Sequence, residues 1–590
     1  MDDTYYKEGI YVGYRYFDSA GKKPTYPFGY GLSYTSFTIE TESFNANEEQ
    51  VKVTALIKNT GNFKGKEVVQ IYASAPQGKL DKPYQELVAF AKTKELEPGE
   101  IQELVITFET ESMASFDTGA SSYVMEQGNY VIRIGNTSRD TKVCGIVALD
   151  EKVYTRKLKN ICPGWDFEDL KIDQIAENLD NEKVTVATIC GKKMAQKIVT
   201  YEAESEEIPN NGACSWQELL SGTKTLDEFI GSLTAEQLAF LNIGLFNEDG
   251  GMGSVIGAAA ASVAGAAGET TLKLSNLGVP TLVMADGPAG LRLCTKYKIV
   301  DNKVKGMDNA LANFMDFMEP EELQMMVSMT PKPTQEELEA PMNYTYCAAI
   351  PIGTALAQSW SEEVAEKCGD IVGKEMELFG IHLWLAPAMN IQRSPLCGRN
   401  FEYYSEDPLI SGVMAAAITI GVQAHKGCGT TIKHFACNNQ ETNRFVSNSV
   451  VSERALREIY LRGFEICVKK SQPHSLMSSY NLINGEHTCN SKDLLTYVLR
   501  DEWNFEGIVM TDWYAANSIM VAANGRENKY SVGIASGCVK AGNDITMPGS
   551  SDDKKQILEA LERTDGEYPI TKAELQRNAK RVLEAILKLA

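Results

Sequence analysis

Six times in the second half of this chain an apolar run of strand length stops abruptly at a polar side chain, and helical periodicity fills the intervals. The runs cover 281–286, 382–390, 430–434, 476–481, 508–512 and 541–544, and 361–379 and 452–470 are among the helical intervals. Apolar runs without alternation are strands buried on both faces, and strands alternating with helices make a parallel sheet. The polar groups fall at carboxyl ends of strands, the face on which (β/α)₈ barrels build their sites. A doubly wound sheet also holds ligands at strand ends, but neither a Gly-x-Gly-x-x-Gly turn nor a Gly-Lys-Ser/Thr phosphate loop occurs here. Residues 223–590 are therefore expected to form a (β/α)₈-type TIM barrel, whole or partly collapsed.

A chain of 590 residues exceeds one core and calls for about three domains. A net charge of −22 opposes nucleic acid and anionic membrane and suits a neutral small substrate. No run is long enough for a membrane span, and the opening Met-Asp-Asp-Thr-Tyr-Tyr is not a signal peptide. The 13 cysteines are odd in number and lack Cys-x-x-Cys spacing, so they read as small core residues of a cytoplasmic protein. Tyr5, Tyr6, Tyr11, Tyr14, Tyr16, Phe17, Tyr26, Phe28, Tyr30, Tyr34 and Phe37 crowd a segment too short to bury them, and so need a partner surface. Either a strand pair docks on the domain that follows, or residues 1–38 are the tail of a domain whose body lies elsewhere.

Residues 39–150 read as short strands with turns at Asn59-Thr-Gly-Asn and Glu97-Pro-Gly-Glu, the spacing of an immunoglobulin-like or fibronectin type III-like sandwich. The polar stretch 151–222 is expected to be a wrapping linker. Thr225 and Glu228 have the spacing of a capping box at the start of the barrel. The glycine-rich stretch 249–268 is expected to be a loop over the barrel mouth, and 295–345 an insertion.

Asp286, Arg399, Lys433, His434, Tyr480 and Asp512, gathered at one mouth, give two carboxylates, two fixed cations, an imidazole and a phenol. A sugar hydroxyl both donates and accepts, and that mixture serves it. Trp384 and Trp513 are the candidates for apolar ring faces. The five histidines have no His-Glu-x-x-His spacing, and Lys433 beside the nearest imidazole opposes a cation, so neither metal nor cofactor is expected. Each cation also has a purely structural use, Arg399 with Glu402 and Lys433 with Asp286. A carboxylate kept ionised by such cations serves as nucleophile toward an anomeric carbon, and hydrolysis then needs a second carboxyl group as proton donor.

Ala285-Asp-Gly-Pro-Ala-Gly-Leu-Arg292, Leu385-Ala-Pro-Ala-Met-Asn-Ile-Gln-Arg393, Gly398-Arg-Asn-Phe-Glu-Tyr-Tyr-Ser-Glu-Asp-Pro408, Ile432-Lys-His-Phe-Ala436, Met477-Ser-Ser-Tyr-Asn481, Val509-Met-Thr-Asp-Trp513 and Asp544-Ile-Thr-Met-Pro548 resemble glycoside hydrolase family 3, in particular its β-glucosidases, in the family's order. Residues 39–150 resemble its fibronectin type III-like domain, and 5–34 the end of its α/β sandwich domain, so the order is that of the family's permuted members. The resemblance implies Asp512 as nucleophile of a retaining reaction through a covalent glycosyl-enzyme. It implies Asp286, Arg292, Arg399, Lys433, His434, Met477, Tyr480 and Trp513 as the lining of the subsite for the non-reducing glucose. In those enzymes the acid/base glutamate belongs to the sandwich domain, and no residue of this chain matches it. The family's N-acetylglucosaminidases use a His–Asp pair on a barrel loop, a pattern missing from Phe435-Ala-Cys-Asn-Asn-Gln-Glu-Thr-Asn-Arg444. The expected function is that of a retaining β-glucosidase acting on terminal β-D-glucosyl residues of oligosaccharides or aryl glucosides. Two alternatives stay open: a non-hydrolytic sugar-binding remnant, and a catalytic half that a separate sandwich-domain polypeptide completes by docking on 5–37. The expected partners are the small β-glucoside or oligosaccharide and that sandwich-domain polypeptide, or a second copy of the chain.

Overall fold

The computed structural model describes residues 2–172, 184–201, 204–246, 261–270, 272–301, 303–307, 334–517 and 527–590. The expected mouth loop lies, from 249 to 260, outside the described residues. The strands Val283–Ala285, Leu383–Trp384, Gly429–Phe435, Ser475–Ser478 and Ile508–Thr511 lie side by side in that order, all parallel. Gly268–Glu269 adds an antiparallel strand beside Val283–Ala285. The sheet curls: beyond Ile508–Thr511, Met510 bridges Ile545 and Thr546 bridges Ile243. Leu245 N then donates to Glu269 O at 2.8 Å, carrying the hydrogen bonding round to the Gly268–Glu269 strand.

Both faces of this sheet are buried, which is why its strands are apolar without alternation. Met284, Leu383, Leu385, Met477, Ile508 and Met510 enter one core, whereas Val283, Ala285, Trp384, Leu476 and Val509 enter another, as the two-residue period of a strand requires. The second core is closed by the helices Glu362–Phe379 and Pro408–Gln423. The first begins at Ser361, whose hydroxyl accepts from Val364 N at 3.3 Å, and ends at Gly380 with a left-handed φ of 70°. The second begins at Asp407, which accepts from Leu409 N and Ile410 N, with Pro408 in its first turn where no N–H is missed. Glycines bring the two backbones together: a Cβ on Gly421 would lie 2.1 Å from Glu366 O. The run 541–544 departs from expectation. Ala535–Ala541 is helix, and Asp544 precedes its strand residues, fully buried between Arg500 and Arg581 at 2.8 and 3.2 Å.

The sandwich has a five-stranded sheet including Val68–Ser74, Gly128–Thr137 and Asp140–Leu149, facing a three-stranded sheet of Phe37–Ala46, Gln50–Asn59 and Ile101–Glu109. Val51, Val53, Ile57, Ile71, Ile106, Ile132 and Val147 fill the space between. The segment expected to be only a linker contributes strands as well: Val153–Lys157 pairs with Ser122–Met125, and Val186–Ile189 with Asp140–Leu149. Farther on, Gln576 holds both Ile208 N and Ile208 O at 2.9 Å. Thr225 and Glu228 form the expected capping box. Of 295–345, the described parts make a small antiparallel sheet of Lys296–Val300, Lys303–Gly306 and Asn343–Tyr344.

The amino-terminal aromatics divide. Asp3–Tyr5 pairs in parallel with Asn448–Val450, and Tyr6, Tyr11 and Tyr14 are buried. Tyr14 Oη donates to Asp407 Oδ2 at 2.9 Å and accepts from Leu87 N at 2.8 Å, so one phenol joins the segment to both larger domains. Tyr26, Leu32 and Tyr34 remain exposed, Tyr34 at 95%. All 13 cysteines are free, and most are buried. No helix among the described residues is long and apolar enough to cross a membrane.

Candidate active site

The alternation that sorts the strand residues into two cores also aims the polar ones. Two positions beyond Met284 stands Asp286, and two beyond Met510 stands Asp512; Lys433 follows Ile432, which belongs to the helix-side core. All three therefore turn to the face opposite the helices Glu362–Phe379 and Pro408–Gln423, at the carboxyl end of the sheet. Beyond Asp286 the chain reverses at Gly287, whose φ is 119° and where a Cβ would lie 2.1 Å from Gly290 O. That turn, possible only for glycine, returns Arg292 N to Asp286 O at 2.8 Å.

Asp286 Oδ1 accepts from Lys433 Nζ at 2.8 Å, and Oδ2 pairs with Arg292. Burial tends to raise the Asp286 carboxyl, but Lys433 and then Arg292 outweigh it and hold it well below the usual carboxylate range. Asp512 is buried; its Oδ1 accepts from Trp513 N at 2.7 Å, while Oδ2 has no hydrogen-bond partner among the described residues. His434 Nε2 lies 3.6 Å from that Oδ2. Burial pushes the Asp512 carboxyl up, with Arg399, Lys433 and Arg444 restraining it. Burial and the same three cations push the His434 imidazole well below its ordinary value, so it is neutral and adds no charge. Asn390 fixes the His434 backbone on both sides, accepting from its N at 2.9 Å and donating to its O at 2.8 Å. Burial and the neighbouring Asp512 raise the Tyr480 phenol well above its ordinary value, keeping it a donor.

Arg399 pairs with Glu402, the structural use anticipated for it, and still bears on Asp512. Arg292 stands at the rim, 58% exposed. Met477 is buried in the same core as Met510 and Trp513, beneath the polar groups. Trp513 Nε1 donates to Ala267 O at 3.1 Å, which locks the indole against Asp512. Trp384 does not offer a ring face: its strand parity sends it into the helix-side core, fully buried, with Nε1 donating to Gly287 O at 2.9 Å. The sequence reading missed Arg444, whose guanidinium covers the Tyr480 ring at 5.0 Å, and Glu441, which pairs with it at 3.0 Å. A Glu-x-x-Arg run seven residues past a strand-end His434 was the available signal. Among the described residues Asp150, Glu151 and Cys190 approach closely enough to share a metal. They lie on the sandwich, where Asp150 accepts from Gly191 N at 2.8 Å and Lys192 lies 3.7 Å from Glu151.

The constellation is a buried carboxylate oxygen left free beside three cations, a neutral imidazole and a phenol, with a second, firmly ionised carboxylate beyond. It suits nucleophilic attack within a pocket of hydroxyl-binding groups. Residues 339–585 match the model of the glycosyl hydrolase family 3 N-terminal domain, and 67–138 that of the fibronectin type III-like domain. Beta-glucosidase A of Butyrivibrio fibrisolvens is 34% identical over 95% of this chain and 63% of its own length. A beta-glucosidase of Ruminococcus albus is 35% identical over 99% of this chain and 55% of its own. The crystal structure of a beta-glucosidase from Paenibacillus barengoltzii superposes with a TM-score of 0.77 at 34% identity, covering 100% of this chain and 59% of that one. The chain thus spans between 55% and 63% of the length of these relatives.

Proposed function

We propose that this chain, whose residues 339–585 match the glycosyl hydrolase family 3 N-terminal domain, is the nucleophile-bearing part of a retaining β-glucosidase with a (β/α)₈-type barrel. The carrying observation is Asp512 Oδ2, buried and free of hydrogen bonds among the described residues. In this reading the Asp512 oxygen bonds to the anomeric carbon as the bond to the leaving oxygen breaks, and a proton reaches that oxygen from a donor outside the residues named so far. Water then cleaves the glycosyl ester and restores the carboxylate, with net retention. Asp286 accepts from sugar hydroxyls; Lys433, Arg399, His434 and Tyr480 orient the ring and offset charge as oxocarbenium character develops. Arg292 closes the rim, and Met477 and Trp513 form the apolar floor. The substrate is a terminal β-D-glucosyl residue of an oligosaccharide or aryl glucoside.

Incubation with 2,4-dinitrophenyl 2-deoxy-2-fluoro-β-glucoside, whose leaving group needs no proton, is expected to leave a fluoroglucosyl group on Asp512, seen by peptide mass. A folded chain that gains no adduct would favour a binding remnant. The exposed Tyr26, Leu32 and Tyr34 support a second reading, in which a sandwich-domain polypeptide docks there and brings the proton donor. Turnover of alkyl β-glucosides that appears only with such a polypeptide added would select it.

A further inference from the structure

Glu441 is the carboxyl group of this constellation that the proposed reaction leaves unused. It stands on the loop between the strands Gly429–Phe435 and Asn448–Val450, and contacts from far away in sequence hold that loop. Asn439 Nδ2 donates to Ile391 O at 2.6 Å, Thr4 Oγ1 to Gln440 Oε1 at 2.8 Å, and Asn443 Nδ2 to Asp2 Oδ1 at 2.9 Å. Tyr6 Oη reaches Cys437 O, Asn439 Oδ1 and Ser449 Oγ at 3.1, 3.2 and 3.1 Å. On this fixed loop Glu441 Oε2 accepts from Arg444 Nη1 at 3.0 Å, while Oε1 is buried without a hydrogen-bond partner among the described residues. Arg444 in turn covers Tyr480 and lies 5.3 Å from the Phe445 ring centre. The charged and titratable groups around Glu441 are Arg444 of its own loop, Arg399, Cys397 and Tyr403 of the loop before Pro408–Gln423, and Asp512. Arg399 is thus paired with Glu402 and Arg444 with Glu441, and both guanidiniums bear on Asp512. An Arg444 guanidinium with no Glu441 to answer would close on Asp512 Oδ2 and spend the lone pair that attack requires.

We propose that Glu441 is a positioning residue: it draws Arg444 over the Tyr480 ring, and so keeps Asp512 Oδ2 open toward the sugar. The proposal rests on the reading of Asp512 as the nucleophile. It also accounts for the carboxyl of Glu441 being pushed up, by burial first and by Asp512 against the two arginines.

Glu441→Gln keeps the shape and an acceptor for Arg444 but removes the charge. It is expected to slow fluoroglucoside trapping by about 10- to 100-fold, and to slow dinitrophenyl and alkyl β-glucosides by the same factor. The acidic limb of trapping should move to lower pH, because Asp512 then ionises without a negative neighbour. Glu441→Asp should recover part of the rate. Unchanged rate and limb would overturn the proposal. So would trapping at the parent rate together with loss of alkyl glucosides and turnover of the dinitrophenyl glucoside restored by azide as glucosyl azide, which would make Glu441 the proton donor instead. A readout without turnover separates this from failure of the functional reading: infrared titration of the Asp512 carboxyl, taken as the difference from Asp512→Asn. Its pKa should fall in the Glu441→Gln background even in a chain that traps no sugar, and a fixed pKa would refute the role.

Discussion

Asp512 is buried beyond what three neighbouring cations offset, and its carboxyl is raised in the fold. A carboxyl raised by folding contributes stability that is present below the ordinary aspartate value and lost as pH rises through the folded value. Asp512→Asn is therefore expected to melt above the parent at neutral pH, the gap closing toward about pH 3–4, while turnover falls roughly 10⁴-fold or more. Scanning calorimetry across pH checks this; a variant no more stable at pH 7 would mean that Arg399, Lys433 and Arg444 fully offset the burial. Asp286 and Asp512 are legible in the sequence because each ends an apolar run of fixed parity, so type and direction are read together. The same parity, carried one residue further, would have turned Trp384 away from the site. Glu441 and Arg444 sit on a loop without period, and Asp2, Thr4 and Tyr6 hold it there across more than 430 residues. No local pattern encodes such a contact.

At the scale of elements, the contact between Glu362–Phe379 and Pro408–Gln423 has little slack. Alanine at Gly421 would gain up to about 1 kcal/mol of helix propensity. Its Cβ, however, would press on Glu366 O, at a cost of about 1–3 kcal/mol for overpacking. Gly421→Ala is expected to lower the denaturant midpoint without changing the slope and without altering trapping at Asp512; a raised midpoint would show that the helices part freely. The long helices and the parallel strands are readable because each carries a sustained period and a stop. Val153–Lys157 and Val186–Ile189 are short and flanked by polar sequence, and they become strands through the edges they find. Propensity over four or five residues is too weak to announce that.

At the scale of the molecule, the sandwich is fastened to the larger domain by charge. Arg156 Nη1 meets Glu465 Oε1 at 2.6 Å, and its guanidinium lies 4.1 Å from the Tyr123 ring centre; Glu458 Oε1 accepts from Phe116 N at 2.5 Å. Burial opposes the charge on Glu465, but Arg156, Arg462 and Lys469 hold its carboxyl well below the usual range, so this joint weakens as pH falls through that low value. Arg156→Ala is expected to cost about 3 kcal/mol and to split or broaden the melting transition, read by calorimetry; one sharp transition at the parent midpoint would place the joint elsewhere. The pairing of Asp3–Tyr5 with Asn448–Val450 sets a schedule for the growing chain. At roughly 5–20 residues per second, some 20–90 s pass between the synthesis of one strand and that of its partner. Throughout that interval Tyr6, whose hydroxyl is satisfied by residues 437, 439 and 449, waits for those partners. Cells that make this protein well must shelter residues 3–6 until residues 437–450 have been translated.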